Sequence, residues 1–270
     1  MTLFKKIMLP LTLASALLTA CDEVSDNDRY IDMGKADIQR TVLLEDFTGQ
    51  ECVNCPTAHK VIEDLEKLYG ENIIAVSIHG GAFAVSREKS YLPYYVGLGT
   101  PEGEIYNKGL DSWPKGRINR QGDPSDNDKW PELVRSAVQL PAEADIKVTA
   151  TARDGHIDIT TAVTPVAAYS GALQLWVLES SIVAIQKNGG EYELDYVHNN
   201  VLRAAVNGTD GEAISIPAGE TRTFTHSIEV RDNSEEIWNV GNLSVVAFVS
   251  NSNGVGQVAK VAVTTDGTDE

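Results

Sequence analysis

Cysteine is scarce in this chain: three in 270 residues, Cys21, Cys52 and Cys55. An odd number would leave one thiol unpaired in an exported protein. Basic residues are also few, 22 Lys and Arg against 39 Asp and Glu, for a formal charge of -17. Such an acidic chain is excluded from electrostatic binding to nucleic acid or anionic headgroups. No Ser-His-Asp arrangement or phosphate loop can be assigned, and no repeat of fixed period is evident. The N-terminal apolar run, Ile7 to Leu18, is too short to span a bilayer as a helix. Haem attachment at the cysteine pair is excluded, because Pro56 and not histidine follows Cys55.

What is present begins at the N-terminus. Lys5 and Lys6 precede the apolar run, and "LTAC" closes it at residues 18 to 21. Charge, apolar core and small residues in that order read as an export signal over residues 1–20, with a buried N-terminal helix as the plainer alternative. "LTAC" also resembles the lipobox of bacterial lipoproteins. By that resemblance Cys21 is the acylated mature N-terminus, and the lipid membrane is its partner. Several acyl chains anchor a protein stably where one is marginal. Cys52 and Cys55 then remain as one pair, oxidised at rest outside the cytoplasm. Residues 21–40 are polar and acidic, without hydrophobic period, and read as a tether. They resemble the acidic stretch that sends lipoproteins to the cell surface in Bacteroidetes, though an ordinary solvated linker accounts for them equally.

Residues 41–142 have a mixed texture. "TVLLEDFT" reads as a buried strand, "PTAHKVIEDLEKLYG" as a helix with Pro56 in its first turn, and "NIIAVSIH" as a second buried strand. That order is a parallel crossover unit. Gly103 to Leu110 is a further helix candidate, Gly116 to Arg120 a short strand. "NDKWPELVRSAVQL" is a closing helix that Asp126 or Asn127 can cap. Residues 143–270 switch to alternation rich in Val, Ile and Thr, as in "HIDITTAVTP", "ALQLWVLES" and "LSVVAFVS". Six or seven such strands predict an antiparallel, immunoglobulin-like sandwich.

A Cys-x-x-Cys between a strand and a helix start has specific chemistry. The first sulfur faces free amides and the positive helix end, which favour thiolate. The second is placed to close the ring and release a mixed disulfide. Cys52 would attack and be the more exposed sulfur; Cys55 would resolve. This order, with a downstream proline before another strand, resembles the thioredoxin fold, which implies that Pro114 is cis and packs beside the pair. "VLLEDFTGQECVNCPTAH", "WPKGRINR" and "YVHNNVLRAAVNG" together resemble the outer-membrane-protein-twenty-eight-related lipoproteins of Bacteroidetes. That resemblance implies an α/β thioredoxin-like domain followed by an all-β sandwich, and gives architecture and location more than chemistry. The chain departs from redox-active thioredoxins at Glu51, which precedes Cys52, and at Val53-Asn54 between the cysteines. A nearby carboxylate raises a thiol pKa.

Metal binding is the rival reading of the same stretch. Cys52, Cys55 and His59 are spaced like three ligands, and His79 is the nearby fourth. The plainer reading of His59 is a partly exposed helix residue. "DPSDND" lacks the glycine and terminal glutamate of a calcium loop and reads as a cap and turn. "DYVHNN" offers His198 and its amides to a ligand but reads more plainly as a polar loop between strands, and Trp113 and Trp130 offer a carbohydrate platform but read more plainly as core. Two functions stay open. One is a membrane-tethered thiol–disulfide oxidoreductase acting on thiols of exported proteins. The other is a non-catalytic surface module, an adhesin or an accessory to nutrient uptake among other outer-membrane proteins, with a structural disulfide. Neither needs a cofactor or metal. Which face of the outer membrane the chain occupies separates them.

Overall fold

The computed structural model describes residues 38–86, 96–232 and 236–265. Cys21, the signal and most of the tether lie outside the described residues. The first strand, β1 (Val42–Thr48), is buried at every position, so it needs cover on both faces. Val42 and Leu44 meet helix α1 (Cys55–Tyr69), where Pro56 occupies the first turn and Ile62 and Leu65 face inward. Gly70, at φ 55°, ends that helix, and β2 (Ile73–His79) returns parallel to β1, with Val42 opposite Ile73 and Thr48 opposite His79. A short helix α2 (Pro101–Tyr106) is capped by Thr100, whose Oγ1 accepts from Gly103 N at 2.8 Å. It ends at Tyr106 rather than Leu110.

Strand β3 (Lys115–Ile118) lies antiparallel to β1. Asn119 and Arg120 terminate it at φ 50° and 55°, short of the expected Arg120. Helix α3 (Trp130–Ala137) packs Trp130 and Val134 on the same core as α1. Lys129 precedes it without a side-chain cap, so neither Asp126 nor Asn127 caps it; Asp126 pairs with Lys115 at 2.8 Å instead.

The rest of the chain is strand: β4 (Ala144–Arg153), β5 (His156–Pro165), β6 (Tyr169–Glu179), β7 (Ile182–Asn188), β8 (Glu191–His198), β9 (Val201–Ala205), β10 (Glu212–Ile216), β11 (Arg222–Glu229), β12 (Leu243–Asn251), β13 (Gly254–Ala262) and β14 (Thr264–Thr265). They form three sheets. An eight-stranded mixed sheet runs β13-β12-β6-β9-β2-β1-β3, with β10 beside β6; a four-stranded sheet runs β11-β5-β4-β14; β7 and β8 make a two-stranded hairpin.

This corrects the expected fold class. The α/β thioredoxin-like domain followed by an all-β immunoglobulin-like sandwich is not what forms, because β1, β2 and β3 do not close into a sheet of their own. The free edge of β2 takes β9, Ser77 opposite Val201, and β9 pairs in turn with β6. The physical reason is the second face of β1. Leu43 and Phe47 are buried in one cluster with Trp176, Leu202, Val246 and Phe248 from the later strands. Each such side chain contributes about 1.5–3 kcal/mol on burial, which no separate sheet of three strands could gain. Arg120 stitches the same seam. It pairs with Glu45 at 2.9 Å and lies over the rings of Tyr106, Trp176 and Phe248 at 5.4, 5.2 and 4.8 Å.

Candidate functional site

The cysteine turn follows the C-terminal end of β1. Cys52 N donates to Gly49 O at 3.1 Å and Cys55 N to Cys52 O at 3.3 Å, which folds the turn onto the start of α1. The two sulfurs are joined in a disulfide, with Cα atoms 5.4 Å apart. Their bonding to each other removes the thiolates that a metal site would need. Among the described residues no group of three or more His, Cys, Asp or Glu is arranged to hold an ion.

The exposure of the sulfurs differs from expectation. Cys52 is 2% exposed and Cys55 0%. The cause is the β7–β8 hairpin, which is tied to the turn at several points. The fully buried Gln186 donates from Nε2 to Cys52 O at 3.0 Å and Gly49 O at 3.3 Å. Lys187 N donates to Gln50 O at 2.8 Å. Gln50, also fully buried, donates to Ile185 O and Val96 O and accepts from Leu98 N. At the rim, Tyr192 Oη donates to Glu51 Oε2 at 2.6 Å. Glu51 therefore has a partner that draws its carboxylate toward the hairpin.

The Trp113–Pro114 bond is cis. Its loop reaches the cysteine turn through Phe83: the Trp113 ring stands edge-on to Phe83 at 5.5 Å, and Phe83 O accepts from Glu51 N at 2.9 Å. Gly81 is required there, since a Cβ would fall 2.4 Å from the Trp113 ring and its φ is +71°.

Where β1, α1 and β8 meet there is a polar cluster. Asp46 is fully buried, and neither carboxylate oxygen accepts a hydrogen bond among the described residues. The nearest polar partner is His59, whose Nε2 stands 3.5 Å from Asp46 Oδ2 and 3.2 Å from Thr48 Oγ1. His59 Nδ1 meets Tyr196 Oη, from the hairpin, at 2.6 Å. Its side chain is 15% exposed, the partly exposed helix residue expected. His79 and His198 stack edge-on at 5.4 Å behind it. Burial, with His198, His59 and Arg203 nearby, holds His79 well below the ordinary histidine range. Burial and His59 bring His198 down to about 3. A cavity of about 60 Å³ borders His59, Glu63, Ser77, Tyr196 and His198. A separate polar cleft of about 800 Å³, bordered by Glu66, Asn72, Gln257 and Lys260, lies off the cysteine turn.

The structure joins Cys52 to Cys55, places His59 four residues on in α1, and links Pro114 to the cysteine turn through Phe83. Asp46, Gln50, Gln186 and Tyr196 were missed. Asp46 was signalled by a carboxylate inside an apolar strand. Gly189-Gly190 was the signal for the hairpin, two residues of positive φ between two strand-length segments.

The chain matches the family described as "Outer membrane protein Omp28" over residues 105–267, a span that begins after the cysteine turn and carries no statement about it. No curated protein matches. Among solved structures, HBP35 of Porphyromonas gingivalis is similar at 16% identity, over 87% of this chain and 80% of that one, with a TM-score of 0.68, a likeness of fold. A domain of the outer membrane lipoprotein Omp28 from Porphyromonas gingivalis matches at 22% identity, over 46% of this chain and 91% of that one, with a TM-score of 0.35. No helix among the described residues is long and apolar enough to cross a membrane. With more than half of its length matched, the chain belongs to the Omp28 family of outer membrane proteins.

Proposed function

We propose that this chain is a lipid-anchored outer-membrane protein whose Cys52–Cys55 pair oxidises dithiols of exported proteins once the β7–β8 hairpin lifts away. Family membership supports outer-membrane association, and the "LTAC" sequence supports anchoring through Cys21. The observation that carries the exchange reading is Asp46. A buried carboxylate without hydrogen bonds costs several kcal/mol, and a disulfide that only staples a turn gains nothing from one. In the strand that leads into a cysteine turn, such a group can supply and recover the proton that a leaving thiolate needs.

The step balances. A client thiolate attacks Cys52 Sγ, the Cys52–Cys55 bond breaks, and Cys55 leaves as thiolate and is protonated. The client's second thiolate then attacks its own sulfur in the mixed disulfide, and Cys52 departs as thiolate. The client dithiol is oxidised by two electrons and the protein pair is reduced by two.

A second reading, the non-catalytic surface module with a structural disulfide, is favoured by the burial of both sulfurs. A reduced two-cysteine peptide separates the two. Incubated with the full chain, quenched with acid and alkylated, it should emerge oxidised. Given the same peptide in its oxidised, disulfide-bonded form, Cys55→Ser should hold a peptide adduct on Cys52, whose thiolate attacks the peptide disulfide and releases one peptide thiol, and Cys52→Ser should trap none. No oxidised peptide and no adduct with any of the three proteins would leave the module reading standing.

A further inference from the structure

We infer that the β3 end of the main sheet holds a binding site for a small zwitterion, a free α-amino acid, whose carboxylate meets Arg117 and whose ammonium meets Asp210. Strand β3 is the last of the eight-stranded sheet, with no further strand beyond it. Glu45 and Arg117 stand opposite each other in the β1–β3 register, yet they do not pair. The Glu45 carboxylate is taken instead by Arg120 Nε, at 2.9 Å, from just past the end of β3. Arg117 is left with the ring of Phe47, 5.8 Å from its centroid, and forms no ion pair or hydrogen bond among the described residues. Its Nε is buried without a partner, and so is Glu45 Oε2.

These groups border one cavity of about 260 Å³, which Tyr106 and the β9–β10 loop residues Thr209 and Asp210 complete. Tyr106 is a fixed wall, since its hydroxyl donates to Thr209 O at 2.9 Å and accepts from Trp176 Nε1 at 3.1 Å. Asp210 is exposed and, like Arg117, has no ion pair or hydrogen bond among the described residues. Two opposite charges thus share a cavity without pairing to each other, and that selects for a ligand that carries both. An anion would meet Arg117 but also the carboxylates of Glu45 and Asp210. A cation would meet those carboxylates but also Arg117 and Arg120. Like charges brought together are penalised in either case, whereas a zwitterion answers both signs. The guanidinium fork of Arg117 matches the two oxygens of a carboxylate. An ammonium has three donors, and Asp210 and the Thr209 hydroxyl are acceptors on the same cavity. The volume lies below the range of about 300–1,000 Å³ usual for drug-sized ligands, which keeps the ligand small.

The test is isothermal titration calorimetry of the full chain with three ligands: L-alanine, alaninamide, which lacks the carboxylate, and propionate, which lacks the ammonium. L-Alanine should bind saturably at one site, and each analogue about tenfold more weakly or worse, as expected for one lost charged hydrogen bond. Arg117→Gln should erase the preference for alanine over alaninamide, and Asp210→Asn the preference for alanine over propionate. A side chain that only supports the fold would weaken all three ligands alike. Asp210 is exposed, so its variant should fold even where Arg117→Gln does not. No saturable heat with L-alanine, or an unchanged preference in either folded variant, would overturn the site. Binding here needs no redox step, so that outcome would leave the exchange reading untouched.

Discussion

Replacing Gln186 with alanine removes a buried amide whose nitrogen donates to Gly49 O, Cys52 O and Lys187 O at 3.3, 3.0 and 3.1 Å. The first two acceptors belong to the cysteine turn, so those bonds exist only while the hairpin is down. At about 1 kcal/mol net for each neutral bond, the closed hairpin should lose about 2 kcal/mol. With tenfold for each 1.4 kcal/mol, the open population rises about 30-fold. The assay is reduction of Cys52–Cys55 by excess dithiothreitol, sampled by acid quench, alkylation and mass. When reclosing outpaces attack, the rate follows the open population. Urea unfolding of the same protein measures the global change, which should not exceed the local one. Lys187→Ala is the control, because Lys187 holds the turn through its main-chain N–H. It should leave the rate within about twofold, as expected of a substitution that removes no buried bond. A folded Gln186→Ala protein reduced less than about threefold faster would refute the hairpin as the cover, since about 0.6 kcal/mol is below one lost hydrogen bond.

Acid should destabilise the fold through the paired histidines. His79 lies well below the ordinary range and His198 at about 3, against about 6.5 unfolded, so the unfolded chain binds more protons between those values. Their contribution is complete above about pH 6.5 and is lost as pH falls toward 3. Urea midpoints should drop from pH 7.5 to 4.5, and His198→Gln should flatten the drop; equal slopes would count against it. The mature N-terminus should be an acylated Cys21, and a mass spectrum showing intact Met1 or unmodified Cys21 would exclude the anchor.

How much of this was legible in the sequence depended on period. β1, α1 and β2 carried their own signals in an apolar strand, a Pro56 first turn and an i, i+3, i+4 face. β5, β6 and β12 were legible from alternation or apolar runs. β8 was not, because Glu191 to Asp195 are exposed on both sides and show no period. Nor was the pairing of β2 with β9, since it depends on which edge β2 leaves free and not on either strand's residues. The same divide runs through the site. The cysteine pair was visible as a motif and Asp46 was passed over though it stands as a charge in an apolar strand, whereas Tyr196 reaches His59 from 137 residues away. A contact of that span leaves no local trace.

That span also orders events in time. Gln186 lies 134 residues beyond Cys52, so during synthesis the cysteine turn emerges well before the hairpin that hides it. Long-range strand pairing is slow, and N-terminal segments wait for it with their surfaces open. Oxidation of Cys52 and Cys55 therefore belongs to the interval before β7 and β8 arrive. A chain that completes its sheet with the pair still reduced seals two thiols where an oxidant can reach them only through the hairpin's opening. The redox state in which the pair starts is thus set by when the hairpin docks.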